Sequence, residues 1–253
     1  MKNILFVIPH PDDEVVGSCI IIKRLLMKKK NIFIFFTSNG VISKDSMWIW
    51  KRRAYNKLLK IRKIEMGKCL EEIGVKKFFF QNIPTRTLKD NIFKTYNKIQ
   101  RIVKKRKIDN IFCPAYEGGH QDHDVANFIC SKFKNDCVVN EFPEYNFFHK
   151  KINSNTFFYK CKKQRTIFLT NHEKSFKKKC LNIYDSEREN LNYVKFEKEM
   201  YRPIFNYDYT KPPYIGTLFY RRFRFFSWHP RVDGDAPEII CEKIQNSNIF
   251  KLL

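Results

Sequence analysis

Two short polar clusters hold the residue types that do chemistry. His10-Pro11-Asp12-Asp13-Glu14 places an imidazole and three carboxylates directly after an apolar run at 4–8. Gly118-Gly119-His120-Gln121-Asp122-His123-Asp124 places two imidazoles and two carboxylates after a second run at 111–114. Carboxylates crowded into a tight turn repel one another, and a divalent cation relieves that repulsion while taking His and Asp as ligands. Asp12 and Asp13 also have a plainer use, capping the helix that follows, with His10 on the surface. The second cluster, in an equivalent loop, tips the reading toward a metal. Three protein ligands with one position left open are the pattern of catalytic zinc, and Gly118 and Gly119 let the backbone approach a metal or substrate closely.

The elements that must position these loops are legible from periodicity. Residues 4–8 read as a strand buried on both faces, 15–30 as an amphipathic helix, and 31–37 as a second strand, which together make a β-α-β unit. A polar loop at 38–47 precedes a helix over 51–73 that stops at Gly74, a left-handed C-terminal position. Strands are expected at 78–80, 111–114 and 138–142, and helices at 92–107 and 122–133. This alternation predicts an α/β, Rossmann-like open sheet, mostly parallel, with helices on both faces. Both polar clusters then fall at the carboxyl edge, where such sheets bind ligands.

Residues 143–253 are less regular. Helices are expected at 173–183 and 188–201, and 203–237 is crowded with aromatics, Pro and Arg in no clear period. With no internal repeat and no flexible linker, 1–253 reads as one domain. Trp228, His229 and Arg231, with Tyr214, Tyr220 and Arg224, read as an aromatic satellite core, with a sugar-stacking rim as the alternative. His149 and His172 lack partners at ligand spacing and read as surface residues. The runs 104–107 and 177–179 read as solvated helix faces.

The formal charge is +23, from 49 Lys and Arg against 26 Asp and Glu. Such an excess suits nucleic acid or an anionic membrane surface, and a Lys-, Ile- and Asn-rich composition also arises from A/T-biased codons. Eight cysteines without a C-x-x-C pair read as reduced thiols, and no secretory leader or spanning segment is evident, so a cytoplasmic location is expected. No phosphate loop, G-x-G-x-x-G or G-x-S-x-G occurs, which argues against a nucleotide cofactor and against a covalent serine hydrolase.

His10-Pro11-Asp12-Asp13-Glu14 with His120-Gln121-Asp122-His123 resembles the paired signature of the LmbE-like or PIG-L zinc deacetylases, H-P-D-D-E and H-P-D-H. Gln121 stands in place of the family's Pro. Arg62 and Glu65, on a helix ending at Ile73-Gly74, are similar to the family's R-x-x-E helix ending at Leu-Gly. The resemblance covers residues 3–142. It implies zinc bound by His10, Asp13 and His123, with Asp12 as general base. His120 would stabilise the oxyanion or protonate the leaving amine, with Asp122 holding its ring and keeping it cationic. Arg62 would contact substrate hydroxyls or phosphate, and Asn39, in the loop after the second strand, is a further substrate-binding candidate. Nitrogen and oxygen ligands of this kind also accept iron or cobalt.

The expected reaction is hydrolysis of an N-acetyl group from an amino sugar: a glycolipid, a nucleotide-linked sugar, or a precursor of a surface polysaccharide or secondary metabolite. Two other readings compete: a zinc amidase acting on a larger acyl amide, and a basic nucleic-acid-binding protein that keeps the fold without catalysis. Nucleic acid is the less expected partner, and contact with an anionic membrane is compatible with the charge.

Overall fold

A computed structural model describes residues 2–230 and 232–252. Strand β1 (Asn3–Ile8), helix α1 (Asp13–Met27) and strand β2 (Asn31–Phe36) form the expected opening unit. Then follow α2 (Tyr55–Ile73), β3 (Phe78–Phe80), α3 (Ile92–Arg106), β4 (Asn110–Pro114), α4 (Gln121–Ser131) and β5 (Val138–Phe142). Beyond them lie β6 (Tyr145–Asn146), β7 (Asn153–Ser154), β8 (Arg165–Phe168), α5 (Asn171–Ile183), β9 (Lys198–Pro203) and α6 (Pro237–Gln245).

The main sheet runs β3-β2-β1-β4-β5-β9-β8. Its first five strands are parallel, while β9 is antiparallel to both β5 and β8. Period-two alternation divides the core. Ile4, Phe6 and Ile8 of β1 face a cluster with residues of α1, α2 and α5, and Leu5 and Val7 face one with residues of α3, α4 and α6. Helices thus cover both faces. The chain order reverses between β1 and β4, so the crevice at their carboxyl ends is the topological switch point, and both polar clusters sit there.

Three expectations need correction. No helix forms over 188–201; this stretch is turns followed by β9, although Lys198-Glu199-Met200 has good local helix propensity. Long-range partners override it. The Glu199 carboxylate accepts the Ile20 and Ile21 amides of α1 at 2.9–3.1 Å, and the Arg202 guanidinium donates to Glu141 at 2.6 Å. Lys177, expected on a solvated face, is fully buried, and its Nζ donates to the Val16 carbonyl and to Glu199, each at 2.8 Å. Lys177 and Glu199 thereby insert an ion pair into the α1 hydrogen-bond ladder. Asp12 occupies the N-cap of α1, yet its side chain makes no cap bond; instead Glu14 Oε2 accepts the Asp12 amide at 2.9 Å. Lys178, Lys179, His149 and His172 are exposed, and all eight cysteines are free.

Candidate metal centre and active site

The loop after β1 brings His10 and Asp13 against His123, in the first turn of α4. His10 Nδ1, Asp13 Oδ2 and His123 Nε2 form a small triangle: 3.0 Å from His10 to Asp13, 3.1 Å from His123 to Asp13, and 3.4 Å between the two nitrogens. Ligand atoms on a tetrahedral zinc lie roughly 3.3 Å apart, as bonds near 2.05 Å require. One nitrogen each of His10, His120 and His123 also falls within a mutual 4.8 Å, as do ligand atoms of Asp13, His123 and Glu144. Residues and spacing fit a divalent ion.

The surroundings fit one too. Ligating imidazoles commonly rest their outer nitrogen on a carboxylate, which fixes the ring and its basicity. His10 Nε2 lies 2.9 Å from Asp122 Oδ2 and 2.8 Å from Thr85 Oγ1. His123 Nδ1 faces Glu144 Oε2 at 3.5 Å. Glu144 is buried, and among the described residues neither of its oxygens has a hydrogen-bond partner. Asp122 also accepts the Arg86 amide at 2.6 Å and the Leu88 amide at 3.2 Å.

Asp122 therefore lies closer to His10 than to His120. Its carboxylate is 3.8 Å from His120 Nδ1, and that nitrogen accepts the Asp122 backbone N–H at 3.1 Å. With Nδ1 used as an acceptor, the neutral ring of His120 carries its proton on Nε2. Burial, reinforced by the positive charge of His10, holds the His120 pKa well below the ordinary imidazole value. Burial thus works against the cationic His120 that the resemblance implies.

Asp12 has φ 124°, a conformation that an L-residue adopts only when its surroundings impose it. Arg62, buried at 4% exposure, donates to the Asp12 carboxylate at 3.0 Å and to the Pro11 carbonyl. Burial pushes the Asp12 pKa well above the usual range despite Arg62. Arg62 Nη1 lies 3.9 Å from Glu65 and 3.7 Å from Glu187, while Ser186, at the start of the segment after α5, donates to Glu65 at 2.6 Å. Asn39 lies in the loop after β2, as expected, and both ends of its amide are engaged with the chain. Its Nδ2 donates to Asn82 at 3.1 Å, and its Oδ1 accepts the Val41 amide at 2.9 Å.

Gly118 and Gly119 serve close approach to protein groups. Gly118, at φ 65°, faces Leu218, and a Cβ on Gly119 would stand 2.3 Å from the Tyr145 carbonyl oxygen. Gln121, the departure from the family's Pro, is fully buried; it accepts from Lys89 at 2.9 Å and donates to Asp233 at 2.7 Å and Asp235 at 2.9 Å. That side chain ties the C-terminal segment to the loop that carries His120 and His123. Tyr214 packs on Phe148 and Phe158, and Tyr220 is buried, as a satellite core requires. Trp228 is exposed, lying against Trp48 and His229. Arg231 lies outside the described residues.

Thr85, Arg86 and Glu144 were not anticipated. Glu144 had a signal, since it follows the carboxyl end of β5, the same kind of position as the other two clusters. Thr85 and Arg86 had none, because they reach the site through an irregular loop after β3.

The field of the site is cation-seeking. Burial alone would lower the His10 pKa, yet Asp13 and Asp122 outweigh it and lift the group from 6.5 to about 10. Burial likewise lifts Glu14 and Glu117 to about 7 and Asp124 to about 8. The folded chain holds these protons more tightly than the unfolded chain. The stability they contribute is therefore lost as pH rises through their folded values. Melting of chelator-treated protein should fall from pH 6.5 to pH 10, and added Zn2+ should reverse the fall by taking the place of the His10 proton. A melting temperature that stayed level or rose over this window would contradict the assignment.

Fold and site together define a Rossmann-like α/β protein with a buried His and Asp cluster at its switch point. The model of the PIG-L family, GlcNAc-PI de-N-acetylase, matches residues 5–134, and the chain belongs to this family of metal-dependent N-deacetylases. Among solved structures, a deacetylase of the teicoplanin biosynthesis pathway is similar at TM-score 0.65 and 12% identity, over 82% of this chain and 99% of that one. N,N'-diacetylchitobiose deacetylase from Pyrococcus horikoshii is similar at TM-score 0.57 and 16% identity, over 79% and 83%. The 4-carboxy-2-hydroxymuconate hydratase of Pseudomonas putida is similar at TM-score 0.51 and 13% identity, over 82% and 98%. Comparison with the sequences of curated proteins gives no match.

Proposed function

We propose that this amino-sugar deacetylase removes acetate from the nitrogen of an N-acetylated hexosamine conjugate, with zinc as its metal and His10, Asp13 and His123 as the ligands. The observation that carries this reading is the 3.0–3.4 Å triangle of ligand atoms, with His10 bonded to buried Asp122 and His123 facing buried Glu144. A zinc ion bound there supplies Lewis acidity, which polarises the amide carbonyl and acidifies water.

The remaining chemistry belongs to the chain. Asp12 takes the proton of the attacking water; its elevated pKa makes it a stronger base than an ordinary carboxylate, and Arg62 fixes its position. His120 presents Nε2–H to the oxygen that gains charge, or to the leaving nitrogen. Asp122 orients His10 and Glu144 orients His123. Arg62, held on Asp12, and Asn39, held on Asn82 and Val41, shape the pocket from behind these groups.

Release of acetate from a panel of N-acetylglucosaminyl and N-acetylgalactosaminyl conjugates tests the reading, with longer N-acyl analogues alongside. Acetate should appear from at least one hexosamine conjugate, faster than any longer acid. Preference for a long acyl chain would support the amidase reading instead.

A further inference from the structure

We infer that the turns at 48–50 and 223–228 form a docking surface for an anionic lipid bilayer beside the mouth of the site. Ile49 is 75% exposed, Trp50 70%, Phe225 81% and Trp228 67%, with Phe223 and Phe226 also exposed. The two turns meet: Trp48 stacks on Trp50 at 5.0 Å and lies 6.1 Å from Trp228. Large apolar side chains gathered in this way on a water-soluble surface mark an interaction site.

Charge selects the occupant. No Asp or Glu occurs between Asp45 and Glu65, or between Asp208 and Asp233; of the seven and five Lys or Arg in those stretches, Arg62 is buried on Asp12 and Arg231 lies outside the described residues. Lys51, Arg53 and Arg224 are exposed among the apolar side chains. Trp and Phe interleaved with basic residues suit the headgroup region of an anionic leaflet, where rings enter the interface and cations meet lipid phosphates. A single-stranded nucleic acid would use the rings and the charge, but the aliphatic Ile49 offers no π face for a base to stack on.

The surface adjoins the site through covalent and hydrogen-bonded neighbours. Its first turn follows β2 at the carboxyl edge of the sheet. The chain just past Trp228 accepts from the Arg86 guanidinium at Pro230 and Val232, and the Arg86 amide holds Asp122. Before the second turn, the Phe219 amide donates to Gly118 at 2.9 Å.

All three tryptophans of the chain, Trp48, Trp50 and Trp228, lie in this surface, so tryptophan emission excited selectively at the red edge, clear of the twelve tyrosines, reports on it alone. The test titrates full-length protein with vesicles of phosphatidylcholine, of phosphatidylcholine with phosphatidylglycerol, and of the same anionic mixture carrying brominated acyl chains. A short single-stranded RNA is titrated in parallel. The expected result is a blue shift on anionic vesicles only, quenching by the brominated chains, weaker binding in high salt, and at least tenfold weaker binding of the Ile49→Ser/Phe225→Ser protein. Circular dichroism and soluble-substrate turnover of that variant should match wild type. The proposal is overturned by no shift on anionic vesicles, by binding that survives the substitutions, or by RNA binding tighter than vesicle binding. Vesicle binding is read without turnover, so its failure leaves the deacetylase reading intact.

Discussion

Asp12→Asn should lower acetate release by about a hundred- to ten-thousand-fold, the range general-base catalysis contributes, with zinc affinity little changed. Asn has nearly the shape of Asp, so the change swaps one oxygen of the side chain and leaves the backbone contacts of this position in place. Arg62 keeps Glu187 at 3.7 Å and Glu65 at 3.9 Å, so its buried charge is not left alone. What disappears is the carboxylate whose proton affinity burial has raised. The loss should fall on kcat, and the acid limb of the pH profile should change with it. Steady-state kinetics beside a melting curve check this; a variant of normal stability and normal kcat would remove Asp12 from the mechanism.

Asp122→Asn should weaken zinc binding by about ten- to a hundredfold, the usual cost of losing the carboxylate behind a ligating imidazole. The geometry decides between two roles for this residue. Were Asp122 to serve His120, metal affinity would hold and only turnover would suffer. Because its carboxylate sits 2.9 Å from His10 Nε2 and 3.8 Å from the His120 ring, affinity should suffer first. Glu144→Gln should produce a parallel, smaller loss through His123, consistent with the longer 3.5 Å contact. Competition with a fluorescent zinc chelator measures both variants.

The sequence carried the half of the fold built from local patterns. Continuous apolar runs gave β1, β2 and β4, and Gly74, at φ 95°, ends α2 where expected. Because the parallel strands place their carboxyl ends together, two motifs 110 residues apart could be read as one site. The sequence was silent where pairing is non-local. The two strands β8 and β9 depend on Glu199 meeting Lys177 and the amides of α1, and on Arg202 meeting Glu141, and no periodicity encodes those meetings. The short contact of Asp122 with His10 escaped for a related reason. Proximity in sequence suggested His120, whereas the β1 loop brings His10 across from the opposite cluster.

The central claim, that His10, Asp13 and His123 hold the ion on which deacetylation depends, is tested most directly by acetate release from chelator-treated protein against added zinc equivalents. No activity is expected without metal, full recovery at one equivalent, and neither recovery nor stoichiometric zinc uptake in Asp13→Ala. Full activity of the metal-free protein, or one tightly held zinc in Asp13→Ala, would contradict it.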